Sequence, residues 1–240
     1  MDKAAPFEDM DARAILEKAD RTRSPWSDFE MKAILQFEQR ERMVEEDYRV
    51  YLKDGTKTLV AFLSPIKQRG NLLLMVGEDL WFYVKDTQRP VRITPLQRLS
   101  GGASYGDIAR LNWSLDYIPT FIGKESADVG NTSYPCIKLE LSADSKGATY
   151  HRILLWIEEG QYYPRKADIY LQSGKLIKTL YFTRFEITKG SPMNREIKFI
   201  DHLDNDKTTI MRFEDIETHP IPSNYFLKTR LPDLSREVIR

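Results

Sequence analysis

The chain has almost no cysteine. Cys136 stands alone among 240 residues, so no intrachain disulfide can form and a C-x-x-C metal or redox site is excluded. Long apolar runs are missing too. The longest are five residues, such as Leu72–Val76 and Leu80–Val84, against the roughly 18 that a membrane-spanning helix needs. No transmembrane segment is therefore expected. An excess of charge of one sign is also absent. Lys and Arg total 36 and Asp and Glu total 36, so nothing in the total draws a polyanion, and nucleic acid is not expected as a partner. Histidine is scarce: His151, His202 and His219 are the full set. No two have the H-E-x-x-H spacing of a helical metal site, and each is expected on the surface or across strands. There is no G-x-S-x-G elbow and no Walker loop. The glycine-rich stretch Ser100–Asp107 lacks the G-K-[ST] ending that places lysine and hydroxyl on phosphate. It reads as a turn entering a helix. No catalytic group, metal site or cofactor is expected. The separation of two carboxylates cannot be read from sequence, so a cleft hydrolase on an apolar or glycan substrate stands as the enzyme alternative.

What is present is β-structure. Hydrophobic residues make up 41%, with 12 Tyr, 11 Phe and 4 Trp, a composition that suits strands and a sizeable core. The first element is a helix over about 10–23, which Asp9 or Asp11 can cap. Ile15, Leu16 and Ala19 give it an apolar stripe, and Ser24-Pro25 stops it. From residue 28 the period changes to two: Phe29, Met31, Ala33, Leu35 and Phe37 alternate with polar residues. A second run carries Tyr48, Val50 and Leu52, and Asp54-Gly55 after it is a hairpin signal. The runs Thr58–Leu63, Asn71–Val76 and Leu80–Val84 are apolar on both faces, which requires cover on both sides.

The pattern breaks over about 95–130, where Ser104–Leu111 and Asp116–Phe121 read as short helices or irregular segments. An insertion of that length in a β-protein is a functional loop or a lid. Strands resume at Ile137–Leu141 and continue through Tyr150–Ile157, Ala167–Leu171, 175–188, Ile197–Phe199 and Met211–Phe213. In the run 175–188, Ile177, Tyr181, Phe185 and Ile187 mark the apolar face. A proline-containing tail over about 220–240 is expected to cover part of the sheet. No linker, repeat or composition shift divides the chain, so residues 1–240 read as a single mainly-β domain. Its fold class is one large curved antiparallel sheet of about eleven strands with a few helices on one face.

Several segments, taken together, resemble the LolA-like family of outer-membrane lipoprotein-sorting proteins. Gly77-Glu-Asp-Leu-Trp-Phe-Tyr83 resembles that family's D-G-x-x-L-W-F-Y strand. The order of Ala14–Asp20, Arg23-Ser-Pro25, Phe62-Leu-Ser-Pro65, Arg69–Leu72, Arg89–Ile93, Ser100–Ile108 and Pro222–Phe226 extends the likeness over most of the chain. The resemblance implies an open, unclosed antiparallel β-barrel with helices as a lid over a concave apolar face. It implies a periplasmic carrier of lipoprotein acyl chains or free lipid. Its partners would be an inner-membrane donor and an outer-membrane acceptor protein. Met1–Pro6 has no apolar signal region; on this resemblance the signal peptide has been removed and the protein is periplasmic, the alternative being a cytoplasmic protein. The family holds its lid with an arginine, for which Arg92, Arg98 and Arg110 are the candidates.

A carrier needs an apolar cavity and no catalytic group. The ligand-binding positions expected on strands are Leu35, Phe37, Trp81, Tyr83, Ile169, Tyr181 and Phe185; on the lid they are Ile108, Leu111, Ile118 and Phe121. The same residues would also fill an ordinary core. Cys136 is expected to be a buried, inert thiol. An envelope sensor that binds lipidated ligands and reports to a membrane partner is the second functional alternative.

Overall fold

A computed structural model describes residues 11–237. The helix α1 (Ala12–Asp20) starts where Asp11 accepts the amides of Arg13 and Ala14, so Asp11 is the cap. Asp9 and residue 10 of the expected helix lie outside the described residues. A first meander follows: β1 (Asp28–Gln39), β2 (Arg42–Lys53), β3 (Lys57–Phe62), β4 (Leu72–Val76), β5 (Asp79–Val84) and β6 (Arg89–Arg92). The turn after β2 places Asp54 and Gly55 at φ of 53° and 66°, the left-handed geometry that makes Asp-Gly a hairpin signal.

The chain then leaves the sheet. A two-stranded hairpin, β7 (Arg98–Ser100) with β8 (Ala103–Ser104), leads into α2 (Tyr105–Ala109) and a single 3-10 turn, Trp113–Leu115. The second meander is β9 (Tyr117–Val129), β10 (Thr132–Ala143), β11 (Arg152–Glu158), β12 (Pro164–Tyr170), β13 (Leu176–Thr188), β14 (Ser191–Asp201) and β15 (Lys207–Glu217). Last come the 3-10 turns Ser223–Phe226 and Lys228–Arg230 and the helix α3 (Leu231–Glu237).

The two meanders form one antiparallel sheet because β15 pairs with β1. Among the described residues the order is β6-β5-β4-β3-β2-β1-β15-β14-β13-β12-β11-β10-β9, thirteen strands with β6 and β9 at the edges. The sheet is curved and unclosed. The expected count of about eleven omits β6 and β9. Residues 116–121 are not a helix: β9 begins at Tyr117, so the inserted segment is 93–116 rather than 95–130. Pro119 and Gly123 read as breaks, but a proline is tolerated on an edge strand, where the missing N–H can face away from the ladder.

Both faces of β3–β5 are covered, as their composition requires. Val60, Phe62, Leu73, Met75 and Leu80 point to the concave side and join the main core with α1 and the inserted segment. Their alternates Leu59, Ala61, Leu72, Leu74 and Tyr83 point outward, under Ile221, Phe226, Leu231 and Leu234 of the C-terminal tail. Residues 221–234 of the tail thus lie on the outer face of β3–β5; residues 238–240 lie outside the described residues.

Candidate functional site

The concave face is the largest apolar surface of the sheet. Leu35, Tyr48 and Val50 from the first meander meet Leu139, Leu155, Ile169, Phe182, Phe199 and Met211 from the second. In this structure that surface is filled. Ile15, Leu16 and Ala19 of α1 lie on it, together with Ala103, Ile108, Ala109, Leu111 and Trp113 of the inserted segment, which we term the plug.

The plug adds no strand to the main sheet. Alongside its apolar contacts it is held by polar nodes. In the first, Lys178 on β13 donates to Asp107 at 2.9 Å, to the Tyr150 hydroxyl at 2.8 Å and to Ser104 Oγ at 3.2 Å. Tyr150 donates in turn to Asp107 at 2.7 Å, and the Ser104 amide to the same carboxylate at 2.8 Å, capping α2. All four residues are buried. Burial, reinforced by the Asp107 carboxylate, pushes the Tyr150 hydroxyl well above the ordinary phenol range, so it remains a donor.

In the second node Arg110 makes a two-pronged contact with Asp116, at 2.9 and 2.6 Å, and donates to Gly77 O at 2.9 Å. Ser145 Oγ donates to Asp116 at 2.5 Å. This node ties the plug to the β4–β5 turn and to the β10–β11 loop. In the third, Asp20 at the end of α1 accepts the Ser114 amide at 2.7 Å, and Arg23 lies under the Trp113 ring, 4.1 Å from its centroid. Burial raises the Asp20 carboxyl above its ordinary value, against the opposing pull of Arg23 and Ser114.

The glycines of the plug serve close approach rather than phosphate binding. Gly101 turns the β7–β8 hairpin at φ 54°. A Cβ on Gly106 would sit 2.0 Å from Thr149 Oγ1, so α2 packs against the β10–β11 loop only with glycine there. Among the described residues three clefts flank the plug. One, of about 170 Å³, is lined by Met75, Arg110, Leu115 and Asp116. A second, about 410 Å³ and mostly polar, lies between Arg98, Asp201 and Lys207. A third, about 190 Å³, lies between Leu96, Ala103 and Ile177.

Of the expected ligand-binding positions, Leu35, Phe37 and Ile169 face the concave core with Ile108 and Leu111 of the plug. Trp81 and Tyr83 are brought elsewhere. Leu80 and Phe82 take the concave side of β5, so Trp81 and Tyr83 belong to the outer cluster beneath the tail. On β13 the core side is that of Leu180 and Phe182, which pair with Phe199 and Ile197. Tyr181 has the opposite parity, and Ile187 is exposed. A register shift after Phe182 lets Phe185 pack on the core's margin, stacked on Tyr163 at 4.4 Å. Ile118 and Phe121 lie on β9, not on a lid helix: Ile118 is 54% exposed, and Phe121 is half-buried against the core.

Among the arginines considered for the lid, Arg92 pairs with Asp79 at the surface and Arg98 bonds Asp201 at 2.9 Å. Arg110 alone of the three is buried. Cys136 is buried, and burial lifts its thiol to about 11. Sequence reasoning did not single out Lys178, Asp107, Tyr150, Asp20 or Trp113. Lys178 reads as a solvated strand residue; the signal that could have found it is its shared parity with Leu180 and Phe182. Among the described residues no helix is long and apolar enough to cross a membrane, and no cluster of metal-ligating side chains occurs.

Comparison with known proteins agrees with this architecture. A family model described as an uncharacterized protein matches residues 54–233. No curated protein matches the sequence. The crystal structure of a LolA superfamily protein from Nitrosomonas europaea is 30% identical, with a TM-score of 0.84 over 92% of this chain and 99% of that one. An outer membrane lipoprotein-sorting protein domain from Vibrio parahaemolyticus, 19% identical, has a TM-score of 0.78 over 92% and 98% of the two chains. A DUF1329 family protein from Desulfovibrio piger, 20% identical, has a TM-score of 0.75 over the same shares. The last two show the fold alone.

Proposed function

The chain belongs to the LolA superfamily, and from that premise we propose that it is a non-catalytic periplasmic carrier. It holds the acyl chains of a lipoprotein or lipid against the concave face and delivers them toward the outer membrane. The observation that carries this reading is the way the concave face is covered. A continuous apolar wall is capped by a segment that adds no strand to the main sheet and whose charged groups are tied to a sheet side chain and to a turn. When the plug moves aside, Leu35, Phe37 and Ile169 become a lipid-binding wall, and Lys178, Asp107, Arg110 and Asp116 regain water. Each CH₂ taken from water is worth about 0.8 kcal/mol, so an acyl chain can replace the apolar contacts that Ile108, Leu111 and Trp113 give up.

Loading and release then follow from relative affinity: the carrier takes cargo from a donor that binds it less tightly and yields it to an acceptor that binds it more tightly. The donor is an inner-membrane protein and the acceptor an outer-membrane protein. The test is native mass spectrometry of the protein purified from a bacterial envelope, together with titration by a fluorescent fatty-acid probe. We expect co-purified acyl lipid and saturable probe binding. A protein that is empty in every preparation and fails to bind the probe would overturn the carrier reading.

A further inference from the structure

Two cations are buried in the main core beneath the plug, and their hydrogen bonding differs. Lys178 is satisfied: its three protons match three acceptors within 3.2 Å. Arg23 is not. It is 5% exposed, and its Nε and Nη1 are buried without a hydrogen-bond partner among the described residues. Asp20 lies 3.8 Å from Nη1, beyond hydrogen-bond reach, and uses its other carboxylate oxygen to accept the Ser114 amide. Aromatic faces cover the guanidinium: Trp113 at 4.1 Å and Phe182 at 5.9 Å from the ring centroids.

Donors left open on a buried charge are costly. The cost disappears when an oxyanion meets the guanidinium fork, whose planar geometry matches a carboxylate or phosphate. Position adds to the case. Arg23 is fixed to the sheet, since the adjacent Thr22 carbonyl accepts the Asn194 amide of β14 at 2.7 Å. Its cover, Trp113, belongs to the plug. Removing the plug therefore uncovers a cation at the margin of an apolar wall.

We propose that Arg23 is the head-group receptor of the concave face, taking the carboxylate or phosphate of an anionic amphiphile whose acyl chain occupies the place of the plug. This rests on the carrier reading above and specifies its ligand class. Trp113 is the gate over the receptor. Asp20 is a built-in competitor, kept off the fork by Ser114 while the plug is in place.

The test is displacement of a fluorescent fatty-acid probe by three ligands of equal chain length: palmitate, a single-chain phosphate monoester and hexadecanol. Wild-type protein is expected to bind the two anions about tenfold or more tighter than the alcohol, the size of a charge-assisted hydrogen-bond contribution. Arg23→Gln should abolish that preference while binding the alcohol as the wild type does. The relative strength of palmitate and the phosphate ester distinguishes a fatty-acid head from a phospholipid one. Should Arg23→Gln fail to fold, the wild-type preference and Arg23→Lys decide the matter, because lysine keeps the charge and loses the fork. It should therefore weaken the preference. If wild type binds all three ligands alike, or if the preference survives in Arg23→Gln, the head-group assignment is overturned and the carrier reading stands. If wild type binds none of them, both fall.

Discussion

The two faces of this sheet are covered in different ways. On the outer face of β3–β5, the C-terminal tail lays Ile221, Phe226, Leu231 and Leu234 onto Leu59, Leu72, Leu74 and Tyr83. Its polar ties to the sheet are to neutral groups or at the rim: Ser235 to Gly70 O at 2.6 Å, which is buried, the Ile221 amide to Asp28 at 3.0 Å, and Lys228 over the Trp81 ring. On the concave face the plug also buries apolar side chains, but charged groups among them tie it down: Asp107 to Lys178, and Arg110 and Asp116 to Gly77 O and Ser145. The difference separates permanence from reversibility. An apolar cover is lost only by exposing hydrocarbon to water, at about 25 cal/mol per Å². A buried ion pair contributes little net stability, because the attraction is largely offset by lost hydration. A plug built partly on such pairs recovers hydration when it leaves, which the tail cannot do. The tail is cover for three strands apolar on both sides; the plug, on the carrier reading, is cover that a ligand can replace.

The largest expected effect comes from breaking a node on one side only. Lys178→Met leaves Asp107 buried without its cation, and unfolding in urea should show a loss of about 3–5 kcal/mol. The double variant Lys178→Met/Asp107→Leu removes both charges and should recover most of that stability, while slowing uptake of a fatty-acid probe because the plug no longer gains hydration on opening. A single variant that costs under about 1 kcal/mol would erase the distinction between the two covers. Next in size is Leu234→Ala in the tail. Leu234 is fully buried, so truncation should cost roughly 2–5 kcal/mol and leave probe affinity unchanged. A loss of affinity would mean that the outer cluster is part of the binding site.

How far the sequence foretold this division depends on which signal each region carries. The two-faced composition of Leu59–Phe62 and Leu72–Met75 requires two covers, and two are present. The alternation in β1 puts Leu35 and Phe37 on the concave side, where they lie, because twelve residues pair without a shift with β2. Tyr181 illustrates the limit. In β13 apolar residues occupy both parities, and the deciding residue, Lys178, carries a charge that alternation assigns to solvent. Its burial depends on Asp107 and Tyr150, 71 and 28 residues away, and local periodicity holds no information about such a partner. Trp81 and Tyr83 were misleading for a related reason. Every position of β5 from Leu80 to Tyr83 is apolar, so the side facing the concave core is settled by pairing with β4 and by the arrival of the tail.

The smallest effect contrasts the two covers by their response to acid. Asp28 ties the tail: it accepts Lys53 Nζ at 2.6 Å and the Ile221 amide at 3.0 Å. Burial pushes its carboxyl up, but these donors and the Ser27 hydroxyl outweigh burial and hold it below 3.8. A carboxyl depressed in the folded state stabilises that state fully above its unfolded value and ceases to do so as pH falls through the folded one. Asp20, beneath the plug, is shifted the other way, above 3.8, chiefly by burial. Its contribution is complete below that value and fades as pH rises through the folded pKa. Acid should therefore loosen the tail and spare the Asp20 end of the plug. Hydrogen exchange between pH 5 and pH 3, corrected for intrinsic rates, should show protection falling at Ile221 by about 1 kcal/mol, the worth of one hydrogen bond, with no fall at Ser114. Asp28→Asn should remove the acid response of the tail, because its amide does not titrate. Equal loss of protection at both sites, or an unchanged response in Asp28→Asn, would show that the covers open together and that their difference in chemistry has no bearing on which one moves.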